Sequence, residues 1–317
     1  MGIACAPTLS IVIAVKDAEA NLPRILASLD RQASADVETI FVVAGDIPRE
    51  LLEENASRLV FSASAETLIP QLWRDGILAA SGQRVALTTA QCIPTKDWVK
   101  RLIGTDLSVR PGSGGAIANH RDARPLNWAI YFLRYAAYTP EEPEGIRDEI
   151  AADNAVYQRA AIMRYPELLV DGFWEPSFHA CFRAEGGALW FDPALVVEHH
   201  GLVPFGALLA QRFSHGLAYG YARAGSRGLG ARLALLIASP LVPVILLLRI
   251  VGNIRQKPVY RGKLASALPW LVAFTVSWSL GEASGYLGAL LSRATFRQRN
   301  VPHRAPSIGQ GAGNGRE

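Results

Sequence analysis

The chain has 317 residues, half of them hydrophobic, with a mean hydropathy of +0.16, a formal net charge of +4 and a pI near 9.0. Three widely spaced cysteines, Cys5, Cys92 and Cys181, exclude a disulfide framework or a cysteine-based metal motif. No helix-turn-helix, zinc-finger or RNP-like pattern accompanies the positive charge, and much of that charge flanks late apolar stretches, which favours anionic lipid over nucleic acid as its partner.

Residues 9–15, LSIVIAV, are apolar and rich in β-branched side chains, the pattern of a buried parallel strand. Lys16, Asp17 and Ala18 form the following turn. A helix is predicted over about 19–32, with Leu22, Ile25, Leu26 and Leu29 on one face. A second strand, VETIFVV (37–43), ends at Ala44-Gly45-Asp46. Pro48 opens a short helix over LLEENA, and LVFSA (59–63) reads as a third strand. IPQLWRDGILAASG (69–82) reads as a helix stopped by Gly82, and RVALTTA (84–90) as a fourth strand. This alternation predicts an α/β domain with a mostly parallel sheet, whose ligands bind beyond the carboxyl ends of the strands.

Residues 108–125, rich in Gly, Arg and Pro, read as loop with a strand inside. WAIYFLRYAAY (128–138) reads as an aromatic helix, and TPEEPEG (139–145) as a polar, mobile loop. EIAADNAVYQRAAI (149–162) starts extended and becomes helical. FWEPSFHACFRAEGG (173–187) holds a short helix with Phe178, Cys181 and Phe182 on its apolar face. LWFDPALVVEHHG (189–201) reads as a strand pair or strand-turn-strand.

The remainder differs in character. LALLIASPLVPVILLL (233–248) carries no charge, and residues 264–291 form a long apolar stretch interrupted by Glu282. The first lies near the lower limit of about 17–25 residues for a spanning helix; the second is long enough. The expected organisation is a catalytic-type domain over 1–205, a basic amphipathic connector over 206–228, a hydrophobic membrane-associated segment over 229–299 and a disordered tail over 300–317.

Four pieces, in order, resemble a family 2 glycosyltransferase of the GT-A fold, over residues 9 to about 200. They are LSIVIAVKDAEANLPRILASLDRQ (9–32), VETIFVVAGD (37–46), ILAASGQRVALTTAQCIPTKDWV (77–99), and DNAVYQRAAI with GFWEPSFHACFRAEGGALWFDPALVVEHH (153–200). The resemblance implies a GT-A nucleotide-diphospho-sugar transferase domain that moves sugar, with inversion, from a nucleoside diphosphate sugar to a lipid-linked or envelope glycan acceptor. The apolar C-terminal helices would hold it to membrane lipids, and no nucleic-acid partner is expected. A non-catalytic, GT-A-like membrane protein that binds nucleotide sugar or scaffolds a glycan-synthesis complex is the alternative. Nucleotidyl transfer fits less well, because VKDAEANLP lacks a Gly/Arg/Lys-rich first loop.

The matched positions suggest roles. Asp17 and Asp46, each after a strand, either meet the base or ribose of the donor or are solvated turn residues. The resemblance implies a divalent cation, Mg²⁺ or Mn²⁺, held by a D-x-D motif; here that position reads Thr89-Ala90-Gln91, without a carboxylate, which puts metal dependence in question. Thr89 and Gln91 remain able to hydrogen-bond sugar or phosphate oxygens. His199, with His200 beside it, matches the late histidine that closes the metal site in relatives, or is a strand-end histidine. Glu175, just before the matched catalytic helix, is the expected general base or an acidic helix N-terminal residue, and Pro176 replaces the Asp expected after it. Asp153 is the reserve base or a helix cap. Trp174 stacks on a sugar or belongs to the core. Arg212 and His215 in QRFSHGLAYGYAR either hold the diphosphate or belong to a basic amphipathic helix at the membrane surface.

The start, MGIACAPTLSIVIAV, lacks the basic region of a signal peptide, so the catalytic domain is expected on the cytoplasmic face of the cytoplasmic membrane. Two spans would then carry the basic loop GNIRQKPVYRGK across the bilayer, against the positive-inside preference. Pro240 and Pro243 offer a re-entrant or interfacial first run as one escape.

Overall fold

The computed structural model describes residues 7–51, 58–201, 203–225 and 227–291. Most of the helix expected over LLEENA, the tail from 292 onward and Cys5 lie outside the described residues.

Strands β1 (Leu9–Val15), β2 (Val37–Ala44), β3 (Arg58–Ala63) and β4 (Arg84–Thr89) lie parallel in the order β3-β2-β1-β4, with helix α1 (Leu22–Asp30) after β1 and α2 (Ile69–Ala79) before β4. All seven residues of β1 are buried, as a strand covered on both faces requires, and its one polar residue, Ser10, is bonded to Glu38. Ile11, Ile13 and Val15 face one layer with Leu22, Ile25 and Leu29 of α1. Val12 and Ala14 face the other, with Leu72, Trp73 and Ile77 of α2. A β-carbon on Gly76 would stand 2.2 Å from Val12 Cγ1, so this glycine permits the close approach of α2 to β1.

The chain continues through β5 (Cys92–Pro94), α3 (Trp98–Gly104), β6 (Gly112–Asn119), α4 (Pro125–Tyr135), β7 (Gly145–Arg147), β8 (Asn154–Gln158), the short α5 (Arg159–Ile162) and α6 (Pro166–Leu169), α7 (Glu175–Ala184) and β9 (Leu189–His199). The sheet extends from β4 through β8, β6 and β9 to β5, and β7 pairs with β9. β8 is antiparallel to both β4 and β6, whereas β6 and β9 are parallel to each other. The carboxyl ends of β1, β2, β4, β6 and β9 and the amino end of β8 therefore share one edge.

Three local expectations change. Residues 189–199 form one strand rather than a pair: Gly115 faces Asp192 and Ala116 faces Val196, so the residues around Pro193 bulge out of register without ending β9. Asn154 holds that bulge, donating to Ala116 O (2.8 Å) and Leu195 O (2.9 Å) while accepting from Trp98 Nε1 (2.8 Å). On α7 the buried face is Phe178, His179 and Phe182; Cys181 is only half-buried. The 139–145 loop, expected to be mobile, is tied down by Glu142, which pairs with Arg147 (2.9 Å) and Lys257 (2.6 Å).

Beyond the sheet stand α8 (Phe205–Gly225), α9 (Leu229–Ala238), α10 (Val242–Arg255) and α11 (Arg261–Leu291). Residues 229–255 and 258–291 are each long and apolar enough to cross a membrane. The first is longer than its charge-free stretch because Pro240 and Pro243 sit where a 3₁₀ turn joins α9 to α10, in the first turn of each new segment, and do not end the helical path. α8 runs parallel to α11: Phe205 packs on Trp270 and Phe274 near one end, and Arg223 reaches Glu282 (3.5 Å) and Tyr286 (3.4 Å) towards the other. Glycines make the seam. β-carbons on Gly216 and Gly281 would meet Trp278 O at 2.2 Å and Phe213 O at 2.0 Å. Such small-xxx-small contacts allow helix backbones to approach closely.

The loop between α10 and α11 returns to the α/β domain. Lys257 Nζ bonds Glu142 and, at 3.0 Å, Ala136 O, and Tyr260 enters the cluster of Trp128, Tyr131 and Phe132. α8 has already carried the chain away from that domain, and α9–α10 brings it back.

Candidate active site

The antiparallel register of β4 and β8 places Thr88 opposite Asn154, so Asp153 meets the carboxyl end of β4. Thr88 Oγ1 donates to Asp153 O (2.8 Å), and Thr89 Oγ1 to Asp153 Oδ1 (3.4 Å). The last turn of α4 completes the surroundings of Asp153. Tyr135 Oη donates to Oδ1 (3.1 Å), and Arg134 Nη2 lies 3.6 Å away. Arg134 Nη1 also donates to Gln91 Oε1 (3.1 Å), so one guanidinium joins Gln91 to Asp153. Its plane sits over the Tyr135 ring at 5.1 Å. Partial loss of solvent works against this charge, but Tyr135 and Asp153 outweigh it and hold the Arg134 pKa above its ordinary value.

Glu175 opens α7, where Pro176 fixes the first turn and a carboxylate suits the helix N-terminus. Glu175 Oε1 accepts from Ala152 N (3.3 Å), which brings it to the sheet edge beside Asp153. Loss of solvent and then the charge of Asp153 raise its pKa from 4.5 to about 7. A cavity of about 490 Å³ lies between α4 and α7, lined by Arg134, Tyr135, Tyr138, Glu149, Asp153, Glu175 and Pro176 among others. Its size suits a sugar-sized ligand. Glu149 is bonded to the buried His179 (2.6 Å) and to Arg183 (3.2 Å); burial alone would raise its pKa, but these partners leave it lowered. His179 Nε2 lies 3.0 Å from Tyr157 Oη.

The sequence-derived candidates divide by position. Thr89, Gln91, Asp153 and Glu175 converge around Arg134 and the cavity. His199 adjoins them. It pairs with Cys92 across the β5–β9 ladder, packs edge-on against Tyr135 (5.2 Å), and a β-carbon on Gly201 would stand 2.5 Å from its Nε2 and 2.9 Å from Gln91 Oε1. Its ring is buried, and neither nitrogen has a hydrogen-bond partner among the described residues. Desolvation, with Arg134 nearby, drives its pKa well below 6.5. Neighbouring His200 stacks on His120 (4.9 Å) and approaches Arg24 (3.3 Å).

Asp17 and Asp46 are exposed at the ends of β1 and β2, one and two strands from β4 on the same edge, and do not line the cavity. Asp17 has φ 53° and Gly45 before Asp46 has φ 106°, so both turns bend sharply. Trp174 caps α7, its indole N–H donating to Asp171 O (3.2 Å). Arg212 and His215 lie on α8, away from the cavity lining. The Arg212 guanidinium stacks over Trp278 of α11 at 4.3 Å, and His215 is exposed. Arg134, Tyr135 and Glu149 were absent from the sequence-derived set. The available signal was Arg134 itself, the single charge in the aromatic stretch WAIYFLRYAAY.

A divalent ion at this place would need several anionic or imidazole ligands. Thr89 and Gln91 offer neutral oxygens, and Asp153 is already paired with Arg134. Among the described residues no group of three or more His, Cys, Asp or Glu converges. His199 adds one imidazole, but with Asp153 bound to Arg134 no carboxylate among the described residues stands free beside it, so the residues present do not fit a hard divalent ion.

No family model and no curated protein sequence matches the chain. Solved structures do. The mannosyltransferase PcManGT from Pyrobaculum calidifontis, in complex with GDP-Man and Mn²⁺, superposes with a TM-score of 0.50 at 14% identity, over 86% of this chain and 87% of that one. GalNAc-T7 with UDP, GalNAc and Mn²⁺ gives a TM-score of 0.44 at 17% identity over 69% of this chain, which spans about half (51%) of its length. The first likeness establishes the fold: a GT-A α/β domain, here followed by two long apolar helices.

Proposed function

We propose that this chain is a membrane-held glycosyltransferase, with family 2 character, that moves a sugar from a nucleoside diphosphate sugar to a hydroxyl of a lipid-linked or envelope glycan acceptor. The observation that carries the reading is the cavity at the carboxyl edge of a GT-A sheet, which holds Glu175 beside the Asp153–Arg134 pair. In a single displacement the acceptor oxygen attacks the anomeric carbon while the bond from that carbon to the β-phosphate oxygen breaks. The acceptor proton passes to Glu175, the electron pair leaves with the nucleoside diphosphate, and the anomeric centre inverts. A carboxylate with a pKa near 7 is suited to accept that proton at neutral pH. Asp153, already met by Thr89, Tyr135 and Arg134, serves better to position these groups than as the base. Asp17, Asp46, Thr89 and Gln91 line the sheet edge where the donor would lie. His199 closes the far side of Gln91.

The apolar helices support membrane attachment. Along residues 229–255, Leu233, Ile237, Leu241, Ile245 and Leu248 stand exposed with no protein cover. In a bilayer this face would meet lipid, and the catalytic domain would sit at the cytoplasmic surface near a membrane-resident acceptor. The replaced D-x-D favours a second reading, a non-catalytic protein that binds nucleotide sugar.

The experiment uses purified, detergent-solubilised protein with UDP-, GDP- and dTDP-sugars and a lipid extract as acceptor. The proposed enzyme transfers labelled sugar to the lipid fraction with one donor, and Glu175→Gln does not. Donor binding without transfer by the wild type selects the second reading.

A further inference from the structure

We infer that the Arg134 guanidinium, rather than a divalent cation, neutralises the diphosphate of the donor; this rests on the nucleotide-sugar reading above. Three observations place the charge there. Arg134 bonds Gln91, at the third position of the D-x-D-like triplet, and faces Asp153, which also takes the hydroxyl of Thr89 at the first position. A cation fixed to α4 thus stands at the end of β4, on the edge where the donor would lie. The side chain is about two-fifths exposed and lines the cavity, so its outward N–H groups remain open to a ligand. The ring of Tyr135 beneath it and the Asp153 carboxylate beside it fix its plane.

The chemistry matches. As the anomeric carbon–oxygen bond breaks, the β-phosphate oxygen keeps the electron pair and gains negative charge. A planar guanidinium donates two parallel N–H bonds to a phosphate and stays protonated throughout. Gln91 and Asp153 hold the cation through neutral and charged oxygens, and a carboxylate added at position 91 would compete with the phosphate for the same N–H groups. The neutral triplet and the arginine thus form one arrangement.

The test is calorimetry on the full-length protein with UDP, GDP, dTDP and the matching monophosphates, in EDTA and in Mn²⁺. The wild type should bind its nucleoside diphosphate with the same affinity, within about twofold, in both conditions. Arg134→Met should weaken the diphosphate by about 10–100-fold, the range expected for loss of a charge-assisted hydrogen bond, and the monophosphate far less; Arg134→Lys should recover part of the loss. Diphosphate binding by the wild type that collapses in EDTA overturns the inference while leaving the nucleotide-sugar reading intact, and that arm needs no variant to fold. An unchanged preference for diphosphate over monophosphate in Arg134→Met also overturns it. Failure of the wild type to bind any nucleotide removes both.

Discussion

Glu175 and Asp153 share one cavity but not one environment. Asp153 meets a tyrosine, a threonine and an arginine, whereas Glu175 meets only backbone N–H groups, its own and that of Ala152, and loses solvent to α7 and its neighbours. Its pKa near 7 yields two predictions. The base must be ionised to accept a proton, so kcat/KM, which follows the free enzyme, should fall on the acid side with a midpoint near pH 7. The same shift bears on stability. Between its ordinary value of 4.5 and about 7 the folded state keeps a proton that the unfolded chain has lost, so stability falls as pH rises through that window. Glu175→Gln should therefore unfold at a higher temperature than the wild type at pH 8, by the equivalent of ~2 kcal/mol, with little difference at pH 4. It should also lose about 10²–10⁴-fold in turnover while retaining nucleotide binding. An equal melting temperature at both pH values would contradict the burial assigned to this carboxylate.

At the scale of elements, two joints hold the site in place. Asn154 links α3, β6 and the β9 bulge. Asn154→Ala strands the Trp98 indole N–H and two carbonyls, and should cost about 3 kcal/mol, read as a fall in the thermal midpoint. The glycine seam joins α8 to α11. Gly281→Leu would drive a side chain into the Phe213 carbonyl, and should expose α8 to limited proteolysis. These joints also mark what the sequence could reveal. The parallel half was legible because Ile11–Val15 and Ile40–Val43 are apolar cores of strand-length segments, and α1 showed its buried face at helical spacing. β9 was read as two strands because Pro193 resembles a turn, and only the staple from Asn154, distant in sequence, lets it bulge instead. The parallel pairing of α8 with α11 was hidden for the same reason: each glycine matters through a backbone more than sixty residues away. In the site, Glu175 and Asp153 lay within matched segments, whereas Arg134 acquires its position only when α4 folds over the end of β4.

For the molecule as a whole, the docked loop between α10 and α11 constrains how the proposed membrane-held protein would lie in a bilayer. Lys257 and Tyr260 bind the α/β domain, so the basic loop and that domain belong on one side. The exposed Gln256→Cys and Lys100→Cys variants should therefore react with an impermeant maleimide from the same face of sealed vesicles, and labelling from opposite faces would contradict the packing. Lys257 is nearly buried against Glu142, and breaking that pair with Lys257→Ala should cost several kcal/mol, on the order of 3–5, unless the loop lifts into solvent. Chemistry and attachment meet at α4, which carries Arg134 and Tyr135 into the cavity and packs Trp128 and Phe132 against Tyr260 of that loop. The central claim is that this cavity transfers sugar with Glu175 as base. The measurement that tests it most directly is kcat/KM as a function of pH for transfer from the preferred nucleotide sugar, with nucleotide affinity measured on wild type and Glu175→Gln alike. The account predicts a wild-type acid limb near pH 7, and a variant that binds the donor normally but transfers little at any pH. A variant that transfers at the wild-type rate would contradict it.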